Sequence, residues 1–143
     1  MIDRIEIFGI IHKVDNQIKR EIDQIACKHG LTGIQSFFLK CIYDNAENGD
    51  VFQKDLEKMF DIRRSSVSTM ISCGEKKGYI KRESIPTDKR INKIVLTEEG
   101  RKKYEEVDAD LKEYKHQLLK DFSDEEIDLV YNMLQKISDN TKK

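Results

Sequence analysis

Apolar residues recur every three or four positions along most of the chain, which is the period of amphipathic α-helices. The N-terminal stripe comprises Ile11, Val14, Ile18, Ile22 and Ile25. It predicts a helix over about residues 3–28, with Gly30 as its end. A denser apolar segment predicts a core helix over about residues 33–45, and Thr32 with Gln35 predicts a capping box at its start.

Two shorter helices follow a loop rich in Asn, Asp and Gly over residues 44–50. The pattern predicts them over residues 51–60 and about 64–77, with a tight turn over residues 61–63 between them. Gly78 stands where helices often end in a left-handed residue. A short helix, a tight turn and a longer helix are the parts of a helix-turn-helix.

The apolar period then changes to two. Residues 79–84 and 91–96 predict two short strands joined by the loop IPTDKR, residues 85–90, which holds the only proline of the chain. Ile94 and Leu96 share one face of the second strand and are expected to pack on the core. A small hairpin therefore follows directly after the longer helix.

Two further helices complete the pattern. Thr97 caps a long helix with a heptad-like seam that consists of Tyr104, Val107, Leu111, Tyr114 and Leu118. Ser123 and Glu126 predict a capping box for the last helix, whose stripe consists of Ile127, Val130, Tyr131, Leu134 and Ile137. The predicted fold class is mainly α with a small β-hairpin (α+β), in one domain of 143 residues.

Composition indicates a soluble protein without a membrane span. Charged residues make up 37% of the chain, and no apolar run approaches the length that crosses a bilayer. The start, MIDRIEIFGI, carries acidic residues and lacks a signal-peptide pattern, so we expect a cytoplasmic protein. The cysteines, Cys27, Cys41 and Cys73, are odd in number, so reduced thiols are expected.

Positive charge is concentrated in the middle of the chain. Residues 63–93 hold nine basic and three acidic residues, a net charge of +6, so the rest of a chain with net charge −1 carries −7. This asymmetry fits two interpretations equally well. The block binds a polyanion, or it is a solvated helix face followed by a charged turn.

No catalytic or metal motif accompanies these elements. The histidines, His12, His29 and His116, have no nucleophile or base signature around them. Cys27 and His29 superficially pair two metal ligands, but an ordinary helix end explains them better, because the other ligands would have to come from distant residues. We therefore expect no enzyme activity, no metal and no cofactor.

The start of the predicted helix over residues 64–77 suits close approach to DNA. It reads Arg64, Ser65, Ser66, Val67, Ser68 and Thr69. Small hydroxyl side chains permit close approach there, and free N-terminal amides favour a phosphate. Val67, Met70 and Ile71 fall on the opposite face and are expected to pack inward. Serines are common in the first turn of any surface helix, so this segment alone does not establish DNA binding.

A hairpin after such a helix is a wing, and the combined pattern resembles the MarR family of bacterial transcriptional regulators. The resemblance rests on Leu56, on Ser66-Val67-Ser68, on the segment EKKGYIKR from Glu75 to Arg82, on Asp88-x-Arg90 and on Leu96-Thr97-x-x-Gly100. It covers roughly the whole chain in element order. It implies a winged helix-turn-helix DNA-binding lobe over residues 31–100, flanked by dimerisation helices over residues 1–30 and 101–143.

The resemblance also implies site residues and partners. The recognition helix would contact double-stranded DNA through Arg63, Arg64, Ser65, Ser66, Ser68 and Thr69, and the wing through Lys89 and Arg90, with Asp88 shaping the wing. A homodimeric repressor on a pseudo-palindromic operator is implied. A small aromatic or apolar effector would release it, with His12, Phe38 and Tyr43 as candidate pocket residues. Core packing is nevertheless the plainer interpretation of each of these three residues.

Three residues depart from the family pattern. Arg63 stands where a hydroxyl-bearing cap is usual, and arginine is a poor N-cap. Glu57 replaces a small alanine between the two helices of the motif. Gly74 replaces an apolar residue and is expected to weaken its helix by about 1 kcal/mol relative to alanine.

Two alternatives stay open. One is a winged-helix protein-interaction module that does not bind DNA. The other is a repressor that senses oxidation through Cys73 or Cys27. Lys89 and Arg90 favour DNA over the first alternative, because an interaction module has no use for such cations beside the start of the recognition helix.

Overall fold

Six helices and one β-hairpin make up residues 1–141, the part of the chain that the computed structural model describes. In chain order they are α1 (Arg4–Cys27), α2 (Gly33–Ala46), α3 (Gln53–Phe60), α4 (Arg64–Lys76), β1 (Ile80–Ile85), β2 (Asp88–Leu96), α5 (Glu98–Leu118) and α6 (Asp124–Thr141). This order and the antiparallel hairpin confirm the predicted fold class. Over the same residues, no helix is both long enough and apolar enough to span a membrane.

Local signals end and start the helices where the sequence predicts. Gly30 follows α1 with a φ of 76°, and Gly78 follows α4 with a φ of 79°, both in the left-handed region that glycine adopts readily. At α2 the Thr32 hydroxyl accepts a hydrogen bond from Gln35 N at 3.2 Å. In return the Gln35 side-chain oxygen accepts one from Thr32 N at 2.9 Å. All these contacts are local in sequence, which is why the pattern reveals them.

The segment before α3 corrects one prediction. The helix predicted over residues 51–60 begins at residue 53, because the backbone of Val51 and Phe52 pairs with strand β2. Ile94 N donates to the Val51 carbonyl at 2.7 Å, and the Val51 side chain is buried. The Asp55 carboxylate then accepts from Phe52 N at 2.8 Å and caps the start of α3.

The chain divides into two compact units, of which the first is Met1–Ala109. Its buried apolar side chains come from every element of the unit: Ile22, Ala26, Leu31, Phe38, Leu39, Ile42, Val51, Leu56, Val67, Ile71, Ile80, Ile94, Tyr104 and Val107. The inward-facing residues predicted on α4 and β2 are among them, except that Met70 and Leu96 are half-buried. Removal of this apolar surface from water stabilises the unit.

The second unit, Asp110–Lys143, contains the C-terminal part of α5 and all of α6. The predicted capping box is present, because the Ser123 hydroxyl accepts from Glu126 N at 3.2 Å and the Glu126 carboxylate accepts from Ser123 N at 3.0 Å. The apolar residues exposed on α6 are Leu129, Val130, Tyr131, Met133 and Leu134. The division into dimerisation helices and a DNA-binding lobe stays a prediction.

Part of the seam on α5 belongs to the core of a single chain. Tyr104 is 4% exposed and Val107 is 0% exposed, so these two need no second subunit to bury them. Burial, with a smaller effect of the Asp108 carboxylate, raises the pKa of Tyr104 above its ordinary value, so the phenol stays protonated. Farther along the helix, Leu118 is 44% exposed. The end of the seam at Leu118 is therefore accessible to a partner.

Candidate nucleic-acid interface

A tight turn joins α3 to α4 and completes the predicted helix-turn-helix. Asp61 ends α3 in the left-handed conformation, with a φ of 50°. Leu56 on α3 and Val67 and Ile71 on α4 are all fully buried. The two helices therefore pack through their apolar sides, and the opposite side of α4 faces solvent.

The exposed start of α4 carries most of the residues that the family resemblance assigns to DNA. Those exposed are Arg63, Arg64, Ser65, Ser66 and Thr69, whereas Ser68 is half-buried. Arg63 is the N-cap residue, and its side chain makes no cap hydrogen bond. The first amide groups of α4 therefore have no side-chain cap and remain accessible to an anion such as phosphate.

Two hydroxyl groups on α4 have partners within the chain. Thr69 Oγ1 donates to the Ser65 carbonyl oxygen at 3.0 Å. Ser68 Oγ lies 2.8 Å from Nε2 of Gln53, the first residue of α3. Gln53 carries no sequence signal for this contact, because no local pattern links residues that are 15 positions apart.

The exposed side of α4 extends farther than the predicted set. Ser72 and Lys76 are exposed one and two turns beyond Thr69. A shallow depression of about 340 Å³ is lined by Ser68, Thr69, Ser72, Cys73 and Lys76. Residues 65, 69, 72 and 76 follow one another at helical spacing, so periodicity could have identified the last two.

The wing has a tighter turn than the sequence predicts. Residues 86–87 form the turn, and β2 already begins at Asp88. Lys89 and Arg90, predicted for the loop, therefore lie in the strand. The strand register shifts at residues 84–85. Such an irregularity adds twist and redirects the side chains beside it.

A hydrogen-bonded ion pair fixes the direction of Arg90. Asp88 Oδ1 accepts from Arg90 N at 3.0 Å and from Nε at 3.2 Å, and Asp88 Oδ2 accepts from Nη2 at 3.3 Å. These hydrogen bonds, first from the guanidinium and then from the backbone, hold the pKa of the Asp88 carboxyl below its ordinary value. The Arg90 side chain is still 90% exposed, so its charge is oriented and accessible.

Acidic residues at the base of the wing offset part of the central positive charge. The Glu83 carboxylate lies 3.0 Å from the Lys81 ammonium and 3.7 Å from that of Lys93, and both lower its pKa, Lys81 more strongly. Arg82 Nε lies 3.3 Å from the Glu75 carboxylate near the end of α4. Such exposed pairs contribute little stability. Their consequence is that net positive charge is left at the start of α4 and near the tip of the wing.

A groove of about 750 Å³ lies between the first part of α3 and the wing, and Arg64 of α4 also lines it. Three arginines line it, Arg64, Arg82 and Arg90, together with apolar side chains that include Phe52, Ile85 and Ile91. Cations along a concave surface raise the local concentration of a polyanion. Glu57 also lines this groove and is half-buried, so the residue that departs from the family pattern sits at the edge of the candidate interface.

The candidate effector residues lie in separate places within the first unit. His12 is exposed on α1. Phe38 is 2% exposed, and its ring centroid lies 5.9 Å from that of Phe60. Tyr43 lines a cavity of about 250 Å³, where the Arg101 guanidinium lies 5.9 Å from the centroid of the tyrosine ring. In one chain, over the residues that the structure describes, the three do not converge on one cavity.

The cysteines are free thiols at separate sites. Cys27 is exposed, whereas Cys41 and Cys73 are half-buried. Cys73 Sγ accepts from Gln35 Nε2 at 3.4 Å, and burial raises the pKa of the Cys41 thiol, with a further effect of Asp44. Between residues 1 and 141, no three His, Cys, Asp or Glu side chains are grouped so that they could hold a metal ion.

Known proteins with similar sequences are transcriptional regulators. The sequence model of the MarR family matches residues 29–91. The uncharacterized HTH-type transcriptional regulator YwoH of Bacillus subtilis is 31% identical over 121 residues, which cover 82% of this chain and 85% of that protein.

Solved structures with the same fold include two that contain DNA. The S. aureus MepR–DNA complex matches with a TM-score of 0.85 at 22% identity, over 93% of this chain and 94% of that one. A mutant E. coli MarR complexed with operator DNA matches with a TM-score of 0.81 at 22% identity, over the same shares of the two chains. At these identities the structures establish the fold alone. The match to YwoH, together with the family model, shows that the chain belongs to the MarR family.

Proposed function

We propose that the protein is a sequence-specific DNA-binding transcriptional repressor. The observation that carries the proposal is the groove that Arg64, at the uncapped start of α4, lines together with Arg82 and Arg90 of the wing. MepR and the mutant E. coli MarR, which share the fold, were solved in complexes with DNA. In this arrangement α4 enters the major groove and the wing follows the adjacent minor groove.

The residues of the interface divide by the part of DNA that they contact. Arg63 and Arg64 contact phosphate or guanine, because a guanidinium binds both with two hydrogen bonds. Ser65, Ser66, Ser68 and Thr69 face base edges in the major groove. Lys89 and Arg90 bind the narrow, electronegative minor groove, with Asp88 holding the guanidinium of Arg90 in place.

A homodimer is the proposed active form. The apolar residues exposed on α1 are Ile5, Ile7, Phe8, Ile10 and Val14, and α6 exposes a comparable set around Tyr131. Apolar side chains that are exposed together along one helix often mark a contact with another protein. A second copy that covers them gives a twofold axis, so the operator is pseudo-palindromic with half-sites about one DNA turn apart.

A small aromatic effector is proposed to release the repressor from DNA. Of the three candidate residues, Tyr43 has the most suitable surroundings. Its ring centroid lies 4.6 Å from that of Tyr104, and Arg101 shares the cavity beside it. An aromatic wall with a guanidinium suits an aromatic carboxylate.

Binding to the DNA just upstream of the protein's own gene tests the proposal. By fluorescence anisotropy we expect a nanomolar-range Kd that weakens steeply between about 50 and 200 mM salt, because phosphate contacts release counterions. Arg90→Ala weakens binding and reduces the salt slope by about one. Lys102→Ala, which removes an exposed cation on α5, is the matched control and leaves both unchanged.

Two experimental results would contradict parts of the proposal and support the alternatives. Weak binding that is equal for the operator and unrelated DNA, and unchanged by Arg90→Ala, supports a protein-interaction module instead. Loss of binding after treatment with peroxide, prevented by Cys73→Ser or Cys27→Ser, supports a thiol sensor rather than release by a small ligand.

A further inference from the structure

Gln53 ties the start of α3 to the first two turns of α4. Its Nε2 donates to Ser68 Oγ at 2.8 Å and lies 3.4 Å from the Arg64 carbonyl oxygen, with geometry that allows a second, longer hydrogen bond. Gln53 is half-buried and lines the groove between the first part of α3 and the wing. Thus a side chain from outside the recognition helix controls one of its hydroxyl groups.

The Arg64 carbonyl settles which end of the Gln53 amide faces α4. A carbonyl oxygen only accepts hydrogen bonds, so the amide nitrogen must point towards it, since the amide oxygen would be repelled. The same nitrogen then faces Ser68, whose oxygen must act as acceptor in that contact. The hydroxyl proton of Ser68 is therefore directed away from Gln53.

The neighbouring threonine shows what Gln53 changes. The Thr69 hydroxyl donates a hydrogen bond to the carbonyl oxygen four residues earlier, that of Ser65, at 3.0 Å. The equivalent acceptor for Ser68 is the Arg64 carbonyl, which Gln53 approaches instead. Ser68 also lines the solvent-facing depression on α4. Its proton can therefore reach a ligand on that side.

We infer that Gln53 is a specificity-determining positioning residue, which holds Ser68 as a hydrogen-bond donor towards the DNA. The inference rests on the proposed DNA binding. A serine hydroxyl without a partner in the protein can form hydrogen bonds with donors and acceptors on the base edges alike. The Gln53 amide takes one of the two lone pairs of the Ser68 oxygen, so this hydroxyl favours base edges that accept, namely purine N7, guanine O6 or thymine O4, over the amino groups of cytosine and adenine.

Measured base preferences of Gln53 and Ser68 variants test this inference. Each base pair of one half-site is replaced in turn, and the Kd is measured for the wild type, Gln53→Ala, Ser68→Ala and the double variant. We expect Gln53→Ala and Ser68→Ala to lose discrimination at the same position by about five- to tenfold, as one hydrogen bond allows. The double variant loses no more than either single variant, because both act through one contact.

Two further variants separate this role from a structural one. Gln53→Glu replaces the donor by an acceptor, so the carboxylate takes the Ser68 proton and discrimination at that position falls as in Ser68→Ala. Lys54→Ala removes the neighbouring exposed cation and weakens binding uniformly at every position. Melting temperatures are recorded for all variants, because a merely structural Gln53 would lower the Tm without changing the base preference.

The outcomes distinguish the inference from the proposed function. If the wild type discriminates among half-sites and Gln53→Ala keeps the same preference at every position, the inference is wrong and the repressor proposal stands. The same holds if Gln53→Ala weakens all sites uniformly. If the wild type prefers no sequence at all, the inference and the proposed function are both wrong.

Discussion

Gly100 lies directly against the carbonyl of Tyr79, so that a Cβ built on Gly100 would stand 2.1 Å from the carbonyl oxygen. The same carbonyl accepts from Thr97 N at 3.0 Å. Thr97 Oγ1 in turn donates to the Gly78 carbonyl and accepts from Gly100 N at 3.0 Å. The start of α5 is thus fastened to the segment that joins the recognition helix to the wing.

Gly100→Ala is therefore expected to destabilise the protein by about 2 kcal/mol or more, since backbone has to move to relieve the contact. Urea denaturation at fixed protein concentration measures the change. Lys102→Ala, at an exposed position of the same helix, is the control and changes the free energy of unfolding by less than about 0.5 kcal/mol. Equal stability of Gly100→Ala and wild type would contradict the close packing.

Gly74 provides a second test, because a Cβ there would lie 2.4 Å from Cδ1 and 3.0 Å from Cγ1 of the buried Ile80. Alanine gains about 1 kcal/mol of helix propensity, but overpacking in a core costs about 1–3 kcal/mol. We therefore expect Gly74→Ala to be neutral to destabilising rather than stabilising. An increase in the free energy of unfolding by the full helix propensity would contradict this.

The Ile80→Val background identifies the cause of that effect, since valine lacks the Cδ1 atom that a Cβ at Gly74 would meet first. There we expect Gly74→Ala to be more favourable by about 1 kcal/mol than in the wild type. A double-mutant cycle of urea denaturation measures the coupling. Additive effects would show that Gly74 and Ile80 are not in contact.

The ion pair of Asp88 and Arg90 predicts that the pKa of the Asp88 carboxyl depends on the Arg90 side chain. The guanidinium lowers the pKa of the Asp88 carboxyl below its ordinary value of 3.8, so the pair is formed at neutral pH and is lost as the pH falls through the lowered pKa. In an NMR titration, Arg90→Ala returns the Asp88 pKa towards 3.8. Lys89→Ala, the adjacent cation, is the control and leaves the Asp88 pKa lowered. No difference between the two variants would contradict the pairing.

The proposed homodimer predicts that a charge placed on the exposed apolar side of α6 weakens self-association. Leu134 is 47% exposed in the single chain, and a glutamate there would be desolvated in a dimer interface. We expect Leu134→Glu to weaken dimerisation by about 2 kcal/mol or more, roughly thirtyfold, in sedimentation equilibrium. Gln135→Glu adds the same charge at the adjacent, exposed position and serves as the control. Dimerisation unchanged by Leu134→Glu would exclude this surface as the interface.

The sequence by itself determined the elements and most of their ends. Helical periodicity, the Thr32–Gln35 and Ser123–Glu126 capping boxes and the glycines after α1 and α4 all act within a few residues of one another. The same short-range signals identified the two helices of the helix-turn-helix and the residues exposed at the start of α4. They missed the full exposed face of α4, although Ser72 and Lys76 follow the same period.

The tertiary structure decided the features that depend on contacts distant in sequence. Val51 and Phe52 are extended because β2 offers them hydrogen-bond partners, which outweighs their apparent place in a helix. In the sequence, Gly74 is a position of low helix propensity. In the structure, the Ile80 side chain occupies the space that a side chain at position 74 would need. Gln53 reaches Ser68 only because α3 and α4 pack together. Local patterns report hydrogen bonds and rotation along one element, whereas packing between elements decides which side chains meet.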